Sequence, residues 1–268
     1  KGISMCLNFC SFSSGSTGNC YLIKSETTAI LVDAGISVKK IVGGLAETGT
    51  ENDQLAAVLL THEHSDHVKS LSPLMRKIKS LTAYANANTW AAMDHELDPE
   101  RMKKIVTGNA FQIGDIRVNS FSVCHDAAEP VGYSFYKSGK QISIITDTGC
   151  VKNDAMNEIK DADLLVLEAN HDVDMLKIGK YPRFLKQRIL GDNGHLSNES
   201  AADVLIRMLA GGKKKPKVLL AHLSRENNFP EMAYQTVKNI LEEESYYIGK
   251  HIELSTIIRD EVSLVYQV

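Results

Sequence analysis

The segment Thr61-His62-Glu63-His64-Ser65-Asp66-His67 directly follows an apolar run, 55–60. Its three imidazoles and one extra carboxylate, Asp66, form the ligand set expected for zinc, and imidazole also suits iron and nickel. In an extended chain His62 and His64 point the same way, and a turn just past the strand can aim Asp66 and His67 at a second ion. A polar loop of solvated histidines is the alternative, which ligand-type residues elsewhere in the chain argue against.

Four further apolar runs end in residues of the same type. The residues that follow the runs 29–32, 118–124, 142–146 and 218–221 are Asp33, His125, Asp147 and His222. Short apolar runs bounded by polar turn residues are typical of buried strands. A single buried histidine is usually a satisfied core residue, but five strand ends of this kind predict one shared edge at which the strands converge.

Composition places the chain among ordinary globular proteins. Its 268 residues are 43% hydrophobic and 24% charged, which suffices for a sizeable core. We expect one domain over residues 1–268, in which residues 1–4, before Met5, are interpreted as vector-derived. The net charge of −3 gives no support to a nucleic-acid partner, although local patches can still bind phosphate.

Cysteine content and hydropathy bound the compartment. Five cysteines are an odd number without the spacing of a disulfide framework, which favours a reducing, cytoplasmic location. No run approaches the 18 apolar residues of a membrane helix, and no secretory signal is visible. We therefore expect no membrane partner.

Strand-like and helix-like patterns alternate along the chain. The clearest helices, each with a polar start, are predicted at Asn198–Leu209 and Glu231–Glu243. Helices are also predicted at Val38–Glu47, Val68–Lys79 and Pro99–Lys104. An α/β fold with two packed sheets and outer helices fits this order best.

The ligand-type residues resemble, in the same order, the full ligand series of the metallo-β-lactamase fold. The resemblance spans nearly the whole chain and implies a four-layer αβ/βα sandwich with a dinuclear metal site at the sheet edges. Asp33 matches the early aspartate of that superfamily. Zinc β-lactamases usually carry a cysteine where Asp147 stands, so the resemblance points to the phosphodiesterase and nuclease branches.

The same resemblance implies a role for each ligand. The residues implied for one ion are His62, His64 and His125. Those implied for the other ion are Asp66, His67 and His222. Asp147 is implied to bridge the two ions.

Finer motifs narrow the resemblance to the YycJ (WalJ) family of bacterial proteins. They lie at residues 13–19, 167–172, 194–198 and 221–228. That family is described as a 5′→3′ DNA exonuclease, with links to cell-wall two-component signalling operons and mismatch repair. The segments between His125 and Asp147, and between Asp147 and His222, are too short for the substrate arm of many Z-type ribonucleases or the inserted domain of the β-CASP nucleases.

The implied chemistry is in-line attack on phosphorus by a metal-bridging hydroxide. Two ions about 3.5–4 Å apart lower the pKa of a bridging water towards about 7 and hold the attacking and leaving oxygens. Asp66 is expected to be a ligand that also orients the nucleophile, with a purely ligating role as the equal alternative. His195 is expected to protonate the leaving oxygen or to bind the scissile phosphate; the alternative is that it caps the following helix.

Three residues are expected to contact the metal ligands without binding the ions themselves. Asp33 can fix the tautomer of a ligating histidine, unless it is a plain turn aspartate before Gly35. Glu168 and His171 follow another apolar run and should reach the same edge.

The free backbone N–H groups of the helix that begins near Ser197 can bind an anion. The residues expected to contact substrate are Asn19, Asn170, Arg188, Ser197, Ser224 and Arg225.

Three functions fit these residues. The first is a dinuclear-metal nuclease, exonucleolytic on DNA in preference to RNA. The second is a hydrolase of a small phosphodiester or another ester, such as a cyclic nucleotide, lactone or thioester. The third is a metal-binding regulator with little turnover, which the intact ligand set disfavours. The expected cofactor is two Zn²⁺ or Mn²⁺ ions, although His/Asp ligation also accepts iron and nickel; polarity and oligomeric state stay open.

Overall fold

Two seven-stranded β-sheets form the centre of the computed structural model, which describes residues 6–94 and 97–268. The interpretation of residues 1–4 therefore lies outside the described residues. Strands and helices are numbered along the chain. The first sheet has the spatial order β14-β1-β2-β3-β4-β5-β6. Its strands are β1 (Asn8–Ser13), β2 (Cys20–Lys24), β3 (Ala29–Val32), β4 (Leu55–Leu59), β5 (Thr82–Asn86), β6 (Met102–Ile105) and β14 (Tyr266–Gln267).

The second sheet has the spatial order β13-β12-β11-β10-β9-β8-β7. Its strands are β7 (Ala110–Ile113), β8 (Ile116–Ser122), β9 (Val131–Lys137), β10 (Lys140–Ile145), β11 (Leu164–Glu168), β12 (Lys217–Ala221) and β13 (Glu253–Thr256). In both sheets an antiparallel part is followed by parallel pairs, from β3 to β6 and from β10 to β13. The carboxyl ends of parallel strands meet at one edge, where ligand sites are usual.

The helices connect the strands and cover both outer faces. Those in the described residues are α1 (Val38–Glu47), α2 (Ser65–Val68), α3 (Leu71–Lys77), α4 (Ala87–Ala92), α5 (Asn153–Ile159), α6 (Val173–Ile178), α7 (Arg183–Leu190), α8 (Asn198–Gly211) and α9 (Pro230–Glu243). Serine and asparagine N-caps begin several of them; for example, Oγ of Ser197 accepts from the backbone N–H of Ser200 at the start of α8.

Three apolar clusters separate these elements into four layers. The central cluster lies between the sheets and includes Phe9, Tyr21, Tyr133 and Phe135. One outer cluster packs α5, α8 and α9 on the second sheet, and the other packs α1, α3 and α4 on the first. The predicted four-layer αβ/βα sandwich is confirmed.

Two predicted helices are wrong in detail. The segment Pro99–Lys104 forms only a short 3₁₀ turn, Pro99–Arg101, and then enters β6, because Met102 and the following residues pair in parallel with β5. The segment Val68–Lys79 is divided between α2 and α3. The chain breaks there because the N–H of Ser70 donates to the carbonyl of Ala34, 3.0 Å away, in the loop after β3.

Two negative findings concern the described residues. None of their helices is long and apolar enough to cross a membrane. None of the five cysteines forms a disulfide there, although Sγ of Cys150 lies 2.8 Å from Sγ of Cys124.

Candidate metal centre and catalytic site

Three residues of the site adopt the left-handed backbone conformation where their strands end. Asp33 (φ 62°) follows β3, Asp147 (φ 53°) follows β10 and His222 (φ 56°) follows β12. Residues other than glycine rarely adopt this conformation, which costs about 1–3 kcal/mol and is concentrated at functional sites. The chain thus stops each strand abruptly at a polar side chain, and the packed sheets sustain the strain.

His62, His64 and His125 form one cluster of imidazoles. The ring centroid of His62 lies 4.6 Å from that of His64 and 5.0 Å from that of His125. The ring centroids of His64 and His125 are 5.1 Å apart. One ligand atom from each lies within 4.8 Å of the others. Burial, with the neighbouring histidines, holds the pKa of His62 well below its ordinary value, so its ring is neutral, as a metal ligand must be.

Asp66, His67 and His222 form a second cluster with ligand atoms within the same distance of one another. Oδ2 of Asp66 lies 3.5 Å from Nε2 of His67. Burial alone raises the pKa of Asp66, but the adjacent His67 outweighs it and holds that pKa well below the ordinary range. Asp66 is therefore an anion beside this cluster.

Asp147 lies between the two clusters. Its Oδ2 atom is 3.4 Å from Nε2 of His67, and its Oδ1 atom is 3.5 Å from Nε2 of His222 and 3.9 Å from Nε2 of His125. Asp147 also forms a ligand-type group with His62 and His67. The structure thus brings together all seven side chains that the sequence series predicts as ligands.

Several of the converging atoms lack a hydrogen-bond partner among the described residues. Nε2 of His62, Nε2 of His222 and Oδ2 of Asp147 are buried and make no hydrogen bond to any residue that the structure describes. Leaving such an atom unsatisfied costs about 1–3 kcal/mol. Divalent ions coordinated here would satisfy these atoms, and the mixed His/Asp donor set suits them.

Asp33 and Thr61 form a hydrogen-bonded group that holds the ring of His67. Nδ1 of His67 donates to Oδ2 of Asp33 over 2.7 Å. The backbone N–H and the hydroxyl of Thr61 also donate to this carboxylate, each over 2.9 Å. Burial lowers the pKa of His67, but the carboxylates of Asp33 and Asp147 outweigh it and raise the pKa well above its ordinary value. Sequence reasoning proposed Asp33 but missed Thr61, whose only signal is its position directly before His62.

Glu168 connects two histidines of the site. This carboxylate is fully buried, and its Oε1 atom accepts from Nδ1 of His195 (2.7 Å) and from Nδ1 of His222 (2.8 Å). Oε2 accepts from the backbone N–H of Thr148 over 2.8 Å. Burial lowers the pKa of His195, but Glu168 outweighs it and raises that pKa to about 9. Sequence reasoning missed Thr148, and no local pattern marks it.

His171, unlike Glu168, forms no side-chain hydrogen bond within the described residues. Its side chain is buried, and neither ring nitrogen has a hydrogen-bond partner among the described residues. Burial lowers its pKa to about 4, so the ring is neutral at physiological pH. The structure places it beside Ser197 through a backbone bridge, and it makes no hydrogen bond to any of the seven ligand-type residues.

Asn19 and Asn170 are buried, and both side chains hold backbone or ligands of the site. Nδ2 of Asn19 lies 3.0 Å from Nε2 of His67 and 3.4 Å from Oδ2 of Asp66. Nδ2 of Asn170 donates to the carbonyl of His222 over 2.9 Å. These contacts position the turns that carry the ligands.

Ser197 and Ser224 are also buried and hydrogen-bonded within the chain. Oγ of Ser197 caps α8, and Oγ of Ser224 accepts from the backbone N–H of Asn227 over 3.2 Å. Both hydroxyls stabilise the local turns. For these two serines and the two asparagines, contact with substrate stays a prediction.

Arg188 and Arg225 are both exposed, and Arg188 contacts the chain next to a ligand-type residue. Nε of Arg188 donates to Oδ2 of Asp126, the residue after His125, over 2.5 Å. This pair lowers the pKa of Asp126, outweighing the effect of burial. Arg225 lies three residues after His222. For both arginines, contact with substrate stays a prediction.

Comparison with known proteins agrees with this geometry. A family model described as "Beta-lactamase superfamily domain" matches residues 28–222. Exodeoxyribonuclease YycJ of Bacillus anthracis is 41% identical over 253 residues, which cover 93% of this chain and 95% of that relative. Exodeoxyribonuclease WalJ of Streptococcus pneumoniae is 42% identical over 241 residues, 88% of each chain. The crystal structure of the metallo-β-lactamase fold protein YhfI from Bacillus subtilis covers 99% of this chain and 100% of its own, with a TM-score of 0.72 and 17% identity, and shows the fold alone.

Proposed function

Because this chain belongs to the metallo-β-lactamase superfamily and, within it, to the family of the YycJ and WalJ proteins, we propose that it is a metal-dependent exodeoxyribonuclease. The observation that carries the proposal is the convergence of two ligand clusters on Asp147, with buried atoms that make no hydrogen bond to the described residues. A site of this kind is suited to phosphodiester hydrolysis. We propose 5′→3′ polarity and DNA as the substrate, in line with the implied family activity.

We propose that the site holds two divalent ions. The residues for one ion are His62, His64 and His125. The residues for the other are Asp66, His67 and His222. Asp147 lies between the clusters and would contact both ions; the proposed metal is zinc or manganese, which accept this donor set. Such a pair, when bound, supplies an activated water and stabilises charge on the phosphoryl oxygens.

Two side chains of the protein are assigned to the reaction itself. Asp66, an anion next to the second cluster, orients the attacking water and accepts a hydrogen bond from it. His195 carries a proton at neutral pH because its pKa is about 9, and its Nδ1 atom is held by Glu168. Its other ring nitrogen is left to protonate the leaving oxygen of the scissile phosphodiester.

A polyanionic substrate fits the rim better than a small neutral ester. Arg188, paired with the residue after His125, and Arg225, three residues after His222, are exposed and would provide charge for phosphates beyond the scissile group. Asn19 and Asn170 keep the turns that carry the ligands in place. The free thiols support a proposed cytoplasmic location, where such thiols stay reduced.

One comparison of substrates tests the proposal. Metal-reconstituted protein is incubated with single-stranded DNA, double-stranded DNA and RNA, each labelled at one end, and with bis-p-nitrophenyl phosphate. Release of mononucleotides from a 5′-labelled DNA strand at the first time points supports a 5′→3′ exonuclease. Turnover of the small diester without any cleavage of DNA would overturn the nuclease proposal and favour a small-molecule phosphodiesterase.

A further inference from the structure

The segment Lys177–Leu190, here called the basic arm, has a charge unlike that of the rest of the chain. From Met175 to Leu190 the sequence has no aspartate or glutamate, in a protein whose formal net charge is −3. The positive residues of the arm are Lys177, Lys180, Arg183, Lys186 and Arg188. A concentration of one sign of charge indicates a partner of the opposite sign.

The basic arm also exposes large apolar side chains. Helix α7 has no buried residue. The side chains of Ile178, Phe184 and Leu190 are 86%, 72% and 45% exposed. Scattered exposed apolar residues are ordinary on a protein surface, but here an aromatic ring lies among cations. Aromatic rings interleaved with basic residues are the usual platform for single-stranded nucleic acid, because every base has a face that can stack.

Three of the five cations have partners in the chain, and one of them is Lys177, whose Nζ atom lies 3.9 Å from Oδ1 of Asp174. Nζ of Lys186 donates to the carbonyls of Lys177 (2.7 Å) and Gly179 (2.6 Å), so it closes the carboxyl end of α6. Arg188 is paired with Asp126. Lys180 and Arg183 are exposed, and neither side chain has an ion-pair or hydrogen-bond partner within residues 6–94 and 97–268. These two cations are free to bind an anion.

The basic arm is fixed rigidly to the catalytic site. The backbone N–H of His195 donates to the carbonyl of Ile189 over 3.0 Å. Gly194 packs so closely that an added Cβ atom would lie 2.2 Å from that carbonyl oxygen and 2.3 Å from the carbonyl oxygen of Arg188. The carbonyl of Gly194 in turn lies 3.2 Å from Nδ1 of His125. A strand bound by the arm is therefore held in register with the proposed metal site.

The carboxyl end of α7 is the end that contacts the site. Arg188 lies at the site end, paired with the residue that follows His125. Phe184 is four residues earlier, one helical turn or about 6 Å along the axis, so the two side chains share a face. Arg183 precedes Phe184 in α7, and Lys180 precedes the helix. The arm thus offers a ring and cations next to one another for bases and phosphates.

We propose that the basic arm binds the single-stranded part of the nucleic acid next to the scissile phosphate, with Phe184 stacked on an unpaired base and with Lys180 and Arg183 neutralising phosphates. This inference rests on the proposed nuclease function. A membrane surface or a protein groove would favour a continuous apolar face. On the arm, cations stand in the sequence between Ile178 and Phe184 and between Phe184 and Leu190. Stacking requires an unpaired base, so single strands bind more tightly than blunt duplexes of the same sequence.

Binding and cleavage are measured separately on Phe184→Ala and Arg183→Ala. The probe is a fluorescein-labelled, 5′-phosphorylated phosphorothioate oligodeoxynucleotide, which resists hydrolysis, and the metal-reconstituted protein is titrated against it. The matched controls are Tyr247→Ala and Lys213→Ala. Tyr247 is 47% exposed and Lys213 is exposed, and both precede strands of the second sheet, at the end opposite to the metal site.

We expect Phe184→Ala to weaken binding of the single strand about 5- to 100-fold, the usual effect of losing one stacked base. Arg183→Ala should reduce the slope of log affinity against log salt by about 0.7, the value for one phosphate contact on a single strand. The controls should retain the affinity of the unmodified protein. Hydrolysis of bis-p-nitrophenyl phosphate, which has no base to stack and no further phosphate, should change less than about twofold.

The outcomes distinguish failure of the inference about the basic arm from failure of the proposed nuclease function. Unchanged affinity in both arm variants, while the protein still degrades DNA, would overturn the arm and leave the nuclease standing. Arm-dependent binding by a protein that cleaves no DNA would overturn the nuclease and keep the arm. Arm-dependent binding to anionic phospholipid vesicles, with no binding of the oligonucleotide, would assign the surface to a membrane and overturn the inference.

Discussion

Oε1 of Glu168, a fully buried residue at the end of β11, accepts a hydrogen bond from Nδ1 of His195 over 2.7 Å. The same oxygen accepts from Nδ1 of His222 over 2.8 Å. One carboxylate therefore orients both a proposed metal ligand and a proposed proton donor. Because both rings are held through Nδ1, each keeps its Nε2 atom for chemistry.

Replacing Glu168 with Gln should shift the pH dependence of DNA cleavage. Burial lowers the pKa of His195, and Glu168 raises it to about 9, so removing the charge lowers that pKa. Cleavage that depends on protonated His195 is then lost at a lower pH, and the alkaline limb of the pH–rate profile moves towards acid. The profile of kcat checks this, and an alkaline limb at its original position would contradict the role assigned to Glu168.

Replacing His195 with Ala should slow DNA turnover by roughly 10²- to 10⁴-fold, the usual range for a lost general acid. Hydrolysis of bis-p-nitrophenyl phosphate should fall much less, because p-nitrophenolate leaves without a proton. Metal content, measured by plasma mass spectrometry, should be unchanged. Equal losses on both substrates would instead indicate phosphate binding by His195, and loss of metal would make it a ligand.

Replacing Asp66 with Asn should abolish phosphodiester hydrolysis. The change removes an anionic ligand atom and the charge beside the attacking water, so we expect a loss of at least about 10²-fold at saturating metal. The rate constants of the metal-loaded variant provide the check, with circular dichroism as the control for folding. Near-normal activity in a folded, metal-loaded variant would refute both roles of Asp66.

Replacing Asp33 with Asn should weaken metal binding by about 10- to 100-fold, as expected when the partner of a ligating histidine is lost. An amide cannot accept from His67 and Thr61 as the carboxylate does. The matched control is Asp115→Asn. It removes a carboxylate that is hydrogen-bonded to Ser25 and Lys137 and precedes β8, whereas His125 follows the other end of that strand. Calorimetric titration with Zn²⁺ measures both variants, and equal affinities in the two would argue against support by Asp33.

Metal affinity should increase as the pH rises. The pKa values of His67 and His222 are raised, since their carboxylate neighbours outweigh burial, so both rings bind protons readily in the metal-free protein. Ligation requires neutral imidazole, so metal binding must release these protons and is weaker at pH values below the raised pKa values. Calorimetry in two buffers of different ionisation enthalpy counts the protons released; a count of zero at pH 7 would exclude this linkage.

The sequence by itself determined the fold class and the positions that carry the proposed chemistry. Apolar runs that end in Asp33, His125, Asp147 and His222 encode strands by periodicity and place polar residues at their ends, and both signals are local. The bounds predicted for the helix Val38–Glu47 agree with those observed, because its cap and its apolar stripe lie within one segment. Such local patterns do not depend on which strand or helix packs against the segment.

Tertiary structure alone decided which side chains meet. Met102 entered a strand instead of a helix because a neighbouring strand offered hydrogen bonds, and no local pattern contains that partner. Thr61 contacts Asp33, and Glu168 contacts His195, across 28 and 27 residues of sequence, a separation that only the packing of two sheets closes. The basic arm likewise became a candidate surface only when Phe184 proved exposed and the carbonyl of Ile189 proved bonded to His195, since exposure and long-range contacts are properties of the packed chain.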